Sequence, residues 1–382
     1  MPIRILHVID SLGNGGLENG VVNLIRHMDA TRFEHCVCTV RAMGPNAQRL
    51  PLERVKLIHI GENRNSRTQF GALGRVIREL RPDVVHSRNW GGIEAVIASR
   101  LRGCGVVHSE HGFEAQAGAG ETWRRRCFRR LAFELAHRVL CVSERLRETC
   151  ARSTGFDASR ITVIHNGVDA GRFSPSADER LRVRRELAIA EGEFCVGCVG
   201  NLAPVKGYGT LLEALRRLGA AAKGWRLVIA GEGPERSKLE AAAREAERFG
   251  ARVSFLGRSA RVPELLNAFD VYALPSLNEG ISNSLLEAMA TGLPVLASDA
   301  GGTPEVVEDG RSGVLFHAGD ANALSASLLR LYEQRDWRDE LGRNARCRTR
   351  GEFSIASMVR GYAGIYESLA RGAVSALAAV EG

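Results

Sequence analysis

Two glutamates, Glu279 and Glu287, bracket a stretch in which carboxylate chemistry and anion binding would meet: Glu279-Gly-Ile-Ser-Asn-Ser-Leu-Leu-Glu287. The apolar run Asp270-Val-Tyr-Ala-Leu274 before it reads as a buried strand, and a short amphipathic helix follows it. Ser282, Asn283 and Ser284 are each suited to cap that helix. Gly292 and Pro294 stop it, and Pro294-Val-Leu-Ala-Ser298 opens the next strand. A strand, a tight loop and a helix start aim the backbone N–H groups of Gly280, Ile281, Ser282 and Asn283 at one spot, which suits an anion. Carboxylates beside an anion site make sense for a phosphorylated sugar, whose hydroxyls they bind while the N–H groups hold phosphate. Glu287 has a second reading, because Ser284-x-x-Glu287 also spells a capping box.

Lys206 stands out by composition. Only four of the 52 basic residues are lysines, so arginine is the default cation of this chain. A lysine in the loop Asn201-Leu-Ala-Pro-Val-Lys-Gly207, just after a strand, fits a compact ammonium beside a phosphate; chance placement is the plain alternative.

The spacing of Glu279 and Glu287 is similar to the E-x7-E motif of retaining GT-B glycosyltransferases, and Glu279–Gly302 resembles family 4 of that class. Family-like features span about residues 3–369. The resemblance implies an α/β fold, GT-B, with two Rossmann-like doubly wound domains facing across a cleft. It implies retaining transfer of a sugar from a nucleotide diphosphate sugar to a hydroxyl of a glycan or lipid-linked acceptor, in bacterial polysaccharide biosynthesis. Glu279 would then bind sugar hydroxyls or stabilise the cationic centre, Glu287 would hold the ribose diol, and Asn283 would orient the donor. Lys206 and the Gly15-Gly16 pair would approach the donor phosphates, and His111 would reach the donor sugar. Asn201 stands where the family usually has arginine, so Arg258 or an arginine of the first domain is a candidate substitute. No metal or other cofactor is expected beside the nucleotide sugar. Gly16-Leu-Glu-Asn19 and Glu279–Asn283 further resemble sugar transferases of exosortase and exopolysaccharide systems. Other readings are a different GT-B enzyme, an epimerase or phosphorylase, and a nucleotide-binding scaffold of weak activity.

These residues need positioning elements. Residues 3–9 read as a strand, then comes Ser11-Leu-Gly-Asn-Gly-Gly-Leu-Glu18, a near miss of the dinucleotide fingerprint with Glu18 at its third glycine place. Strand-like runs recur at 35–40, 55–60, 84–86, 106–109 and 139–142, with helical patterns at 71–80, 91–101 and 123–137. That alternation predicts a doubly wound sheet. His108, Glu110 and His111 lie close in sequence, but alternation sends 108 and 110 to one side and 111 to the other, against a shared metal. Phe113–Gly120, rich in alanine and glycine, reads as a mobile loop. The second half repeats the alternation, with strands at 194–200, 226–230, 252–256, 270–274 and 294–298. Its helices are expected at 208–218, 235–249, 261–268, 320–335 and 337–349. Domain boundaries are expected at 1–172 and 173–352, with a returning helix at 353–371.

At 382 residues and 45% apolar content, the chain can fill two cores. No run reaches the roughly 20 apolar residues of a membrane span, and the N-terminus enters a strand without a signal-peptide plan. A cytoplasmic location follows as an expectation, and the nine cysteines read as buried thiols, including Cys195-Val-Gly-Cys198. The net charge of +8 is uneven: residues 1–174 hold 26 Lys and Arg against 17 Asp and Glu, the remainder 26 against 27. Arg124, Arg125, Arg126, Arg129 and Arg130 form the densest cluster, with Trp123 and Phe128 beside them. It suits a peripheral contact with an anionic membrane face, or a plain solvated helix face. Nucleic acid is not indicated, since no recognition motif accompanies the charge.

Overall fold

The computed structural model describes residues 1–13, 15–61, 66–112 and 122–378. The expected loop at 113–120 lies outside them. The chain divides into two units, one of Met1–Asn166 with the segment from Ile355 onward, the other Gly167–Ser354.

In the first unit, seven parallel strands are β1 (Ile3–Ser11), β2 (Phe33–Ala42), β3 (Val55–His59), β4 (Val84–Arg88), β5 (Gly105–Glu110), β6 (Arg138–Cys141) and β7 (Ile161–Val163). They lie in the order β3-β2-β1-β4-β5-β6-β7. Parallel strands carry helices on both faces, so their residues are buried on both sides, as Leu6 to Ile9 are in β1. The long C-terminal helix Ile355–Ala378 lays Met358, Tyr362 and Tyr366 on Ile5, Val84, Val107 and Leu140 of this sheet.

The second unit has β8 (Cys195–Val199), β9 (Arg226–Ala230), β10 (Arg252–Gly257), β11 (Val271–Leu274), β12 (Val295–Ser298) and β13 (Val314–Phe316). Their order is β10-β9-β8-β11-β12-β13, again parallel. Apolar clusters cover its two faces, one around Phe269, Leu285 and Met289, the other around Leu211, Trp225 and Leu324. Cys195 and Cys198 are buried in β8, and burial pushes the Cys195 thiol up to about 12.

The crossover into the second unit comes earlier than 172. Val168 and Phe173 belong to the second core, and the Val168 N–H donates to the Phe353 carbonyl (2.9 Å). Two helices escape a periodicity reading, Glu144–Thr154 and Ala177–Glu186. Seven of the second's ten residues are charged, and beside buried Val183 it is held by polar contacts: Arg180 and Arg184 both reach Asp270, at 2.5 and 3.2 Å. Strands β7 and β13, three residues each, are too short to show alternation.

The arginine cluster does not form one basic face. On the helix Trp123–Leu135, Arg125 and Arg129 fall on the inward stripe with Phe133, at helical spacing. Arg129 is buried, with Nε 3.0 Å from the Glu110 carboxylate. The Arg125 guanidinium lies over the Trp90 ring at 4.4 Å. Arg130 donates to the carbonyls of Thr154 and Gly155, at the C-terminal end of the helix Glu144–Thr154. Arg124 and Arg126 remain on the outer face beside Trp123, which is 65% exposed.

Candidate active site

In an open parallel sheet, ligands gather beyond the carboxyl ends of the strands where the strand order reverses. In the second sheet that point lies between β8 and β11. The loops leaving these two strands carry Lys206 and Glu279, and the structure joins them. The Leu277 N–H donates to the Val205 carbonyl (2.7 Å), which stitches one loop to the other. Gly207 ends the Pro204–Lys206 turn at φ +63°, and a Cβ there would sit 2.1 Å from the Pro275 carbonyl oxygen. Only glycine fits that place.

Lys206 Nζ forms an ion pair with Glu279 Oε1, which also accepts from the Ser276 hydroxyl (2.7 Å). The Glu279 side chain is only 10% exposed. Its carbonyl is fixed from the loop after β12 by the Gly302 N–H (3.1 Å). Gly301, at φ +57°, passes so close that a Cβ would be 1.8 Å from that oxygen. Three loops therefore hold one carboxylate and one ammonium at the switch point. Ser276 was not singled out from sequence, because a serine after a strand has no distinctive signature.

The helix Asn283–Ala290 follows directly. Ser282 caps it, accepting from the Leu285 N–H (3.3 Å). Ser284 therefore lies inside the helix and does not form the capping box with Glu287. Its hydroxyl is engaged instead by the Tyr272 hydroxyl (2.7 Å) and by Ser282 (3.1 Å). Glu287 is half-buried on the same helix; Gly280 and Ile281 are buried, and Asn283 is half-buried. Asn201 is exposed just past β8, and Arg258 is exposed just past β10, two strands away from β8.

Gly15, Gly16 and His111 belong to the other unit. Gly15 caps the helix Gly16–His27, and its missing Cβ leaves space for Glu18, whose Oε2 would lie 2.2 Å from such an atom. Burial pushes the Glu18 carboxyl up, while hydrogen bonds from its own N–H and that of Gly15 pull it down. The helix start in this loop is thus already occupied by a side chain of the protein.

His111 follows β5. Its backbone N–H donates to Asn89 Oδ1 (2.8 Å), and its Nε2 lies 2.9 Å from Ser109 Oγ. Ser109 Oγ is also 2.9 Å from His86 Nε2. Burial, then the positive charge of Arg88 and the neighbouring His108, hold the His111 imidazole down at about 3, so it is neutral. On the opposite side of the strand, His108 bonds Ser87 and faces Glu110 at 3.4 Å. Sequence reading missed His86 and Arg88; the signal that could have found them is the run of polar residues His86-Ser-Arg88 inside a short strand of a sheet buried on both faces.

A family model described as "Glycosyl transferases group 1" matches residues 179–348, and one described as "Glycosyltransferase Family 4" matches residues 14–172. The chain is 30% identical over 308 residues to EpsF of Bacillus subtilis (strain 168), which bears a glycosyltransferase's name, covering 78% of this chain and 79% of that one. It is 28% identical over 300 residues to the UDP-Gal:alpha-D-GlcNAc-diphosphoundecaprenol alpha-1,3-galactosyltransferase of Escherichia coli, covering 75% and 76%. Its fold is similar to that of Anabaena Alr3699/HepE, solved in complex with UDP and glucose. That match has a TM-score of 0.83 and 23% identity, and covers 96% of this chain and 100% of that one.

Proposed function

Because the chain belongs to the group 1, family 4 glycosyltransferases and has their GT-B fold of two Rossmann-like domains, we propose that it moves a sugar from a nucleoside diphosphate sugar to a hydroxyl, with retention at the anomeric carbon. The observation that carries this reading is the Lys206–Glu279 pair at the switch point of the second sheet, beside the start of the helix Asn283–Ala290. Breaking the anomeric bond puts positive charge on the sugar ring and negative charge on the departing phosphate. Preorganised charges aimed at those two places lower the barrier. Glu279, held by Ser276, faces the positive centre or its hydroxyls. Lys206 has three N–H donors, so it can keep Glu279 and take a phosphate oxygen as well. The helix start adds its dipole on the phosphate side, and Glu287 takes the ribose diol. This chemistry needs no divalent metal.

The UDP and glucose bound to HepE and the UDP-Gal in the galactosyltransferase's name support a uridine donor. The same name supports a polyprenyl diphosphate-linked glycan as acceptor, within bacterial polysaccharide biosynthesis. Such an acceptor lies at a membrane. Among the described residues no helix is long and apolar enough to cross one. The exposed Trp123 with Arg124 and Arg126 beside it on the outer helix face supports peripheral contact with an anionic membrane from the cytoplasmic side. The test is a thermal-shift panel of UDP, GDP, ADP and CMP sugars followed by donor turnover. A shift with UDP sugars and turnover that survives EDTA are expected. No shift with any sugar nucleotide would overturn the reading, and loss of turnover restored by magnesium or manganese would overturn the metal-free mechanism.

A further inference from the structure

Arg88, at the end of β4, is 2% exposed, and its terminal nitrogens face two imidazoles. One lies 3.0 Å from His7 Nδ1, the other 3.1 Å from His86 Nδ1. A guanidinium carries only donors, so both Nδ1 atoms must be bare acceptors. The Tyr366 hydroxyl, from the C-terminal helix, lies 2.6 Å from the same His86 Nδ1 and donates to it as well. Burial keeps His86 neutral, so its one proton is on Nε2, 2.9 Å from Ser109 Oγ. Ser109 accepts that proton's bond and has its own hydroxyl hydrogen left, and His111 Nε2 lies 2.9 Å away to receive it. A neutral His111 then bears its proton on Nδ1.

We propose that Arg88, acting through His86 and Ser109, fixes His111 as a neutral imidazole protonated on Nδ1, which makes it a hydrogen-bond donor to the substrate and not a base. The tautomer follows from the direction of the hydrogen bonds, whereas the use made of it rests on the sugar-transfer reading. Arg88, His86, Ser109 and Tyr366 are positioning residues: they act through His111. Asn89 completes the hold. Its side-chain oxygen takes the His111 N–H and its own N–H donates to the Ser109 carbonyl (2.9 Å), at a left-handed φ of +48° that a non-glycine residue adopts only when well held. A donor N–H suits an oxygen of the transferred sugar. It leaves no lone pair on that side to take a proton from the acceptor, so deprotonation of the acceptor must be done elsewhere.

The experiment is nitrogen NMR on the whole protein labelled with ring-15N histidine, His111 being assigned by its loss in His111→Gln. The expected spectrum shows His111 protonated on Nδ1 and bare on Nε2. Ser109→Ala should shift His111 to a mixture of tautomers and lower kcat about tenfold, the worth of one hydrogen bond, with a smaller change in donor KM. Ser109→Thr, which keeps the hydroxyl, should retain both the spectrum and the rate. An Nε2-protonated or doubly protonated His111 in the parent would overturn the proposal, as would an unchanged His111 spectrum in Ser109→Ala. An altered spectrum with an unchanged rate would overturn the donor role. If the parent transfers no sugar, the spectra still decide the tautomer, and only the functional reading falls.

Discussion

Lys206 is one of four lysines in the chain and the one that meets Glu279. A charge-assisted hydrogen bond to the leaving phosphate contributes about 1.5–3 kcal/mol. Lys206→Ala is therefore expected to cost at least about tenfold in kcat with little change in melting temperature; activity within about twofold of the parent would remove Lys206 from the chemistry. At the other end of the motif, the roles of three residues separate. Ser282 caps the helix, so Ser282→Ala should cost about 1 kcal/mol of stability, read from denaturant melts. Ser284→Ala should leave donor binding nearly intact, because its hydroxyl is spent on Tyr272 and Ser282. Glu287→Ala should weaken nucleotide binding about ten- to a hundredfold by calorimetry. Unchanged binding would return Glu287 to a purely structural part.

At the scale of elements, the loops after β8 and β11 work only as a pair. Gly207→Ala forces a side chain into a left-handed conformation, at about 1–2 kcal/mol, and drives its Cβ against the Pro275 carbonyl. Turnover should fall with stability, because the shift separates Lys206 from Glu279; a stable variant with parental kcat would show that the stitching is dispensable. The helix Trp123–Leu135 divides its arginines by face. Removing Arg129 takes an ion-pair partner from buried Glu110, which for a broken buried pair costs up to about 3–5 kcal/mol. Arg124→Glu with Arg126→Glu should fold normally yet lose binding to anionic liposomes, each basic residue contributing about 1 kcal/mol near such a surface. Equal liposome binding by parent and double variant would argue against a membrane role for this helix.

At the scale of the molecule, the two units have different dependences. Residues 167–354 carry their own cores on both faces of their sheet and should melt cooperatively as an isolated chain. Residues 1–166 lack Met358, Tyr362 and Tyr366, which cover Ile5, Val84 and Leu140, and should not. Acid should also act on one unit first. Nine of the ten histidines belong to the first unit. Burial lowers His35 to about 4 and His111 to about 3, and holds His7 and His86 well below the usual imidazole value. The unfolded chain takes up these protons near pH 6.5, while the folded unit refuses them until far lower. Stability is therefore complete above about pH 6.5 and is lost as pH falls toward 4, by up to about 1.4 kcal/mol per pH unit for each such histidine. Urea melts at pH 7 and 5, followed separately in each unit, should show the loss in the first; parallel losses in both would mean that the buried imidazoles are not its source.

Much of this protein is local and so was readable in the sequence. Apolar runs such as Val271–Leu274, the glycine and proline stops around Pro294, and the loop holding Lys206 each depend on neighbouring residues alone. The family motif from Glu279 to Gly302 is contiguous for the same reason. Periodicity assigns a face but names no partner. That Lys206 would meet Glu279, 73 positions away, depended on β11 pairing with β8 and not with β10. The burial of Arg129 depended on a glutamate at the end of β5, and the choice of Ser282 as cap on Tyr272 claiming Ser284. The proton on His111 depended on Arg88 and on Tyr366, a hydroxyl 280 positions along the chain from the His86 it engages. Non-local pairing decided these contacts, since hydrogen bonds between distant segments exist only once the sheet order has brought them together.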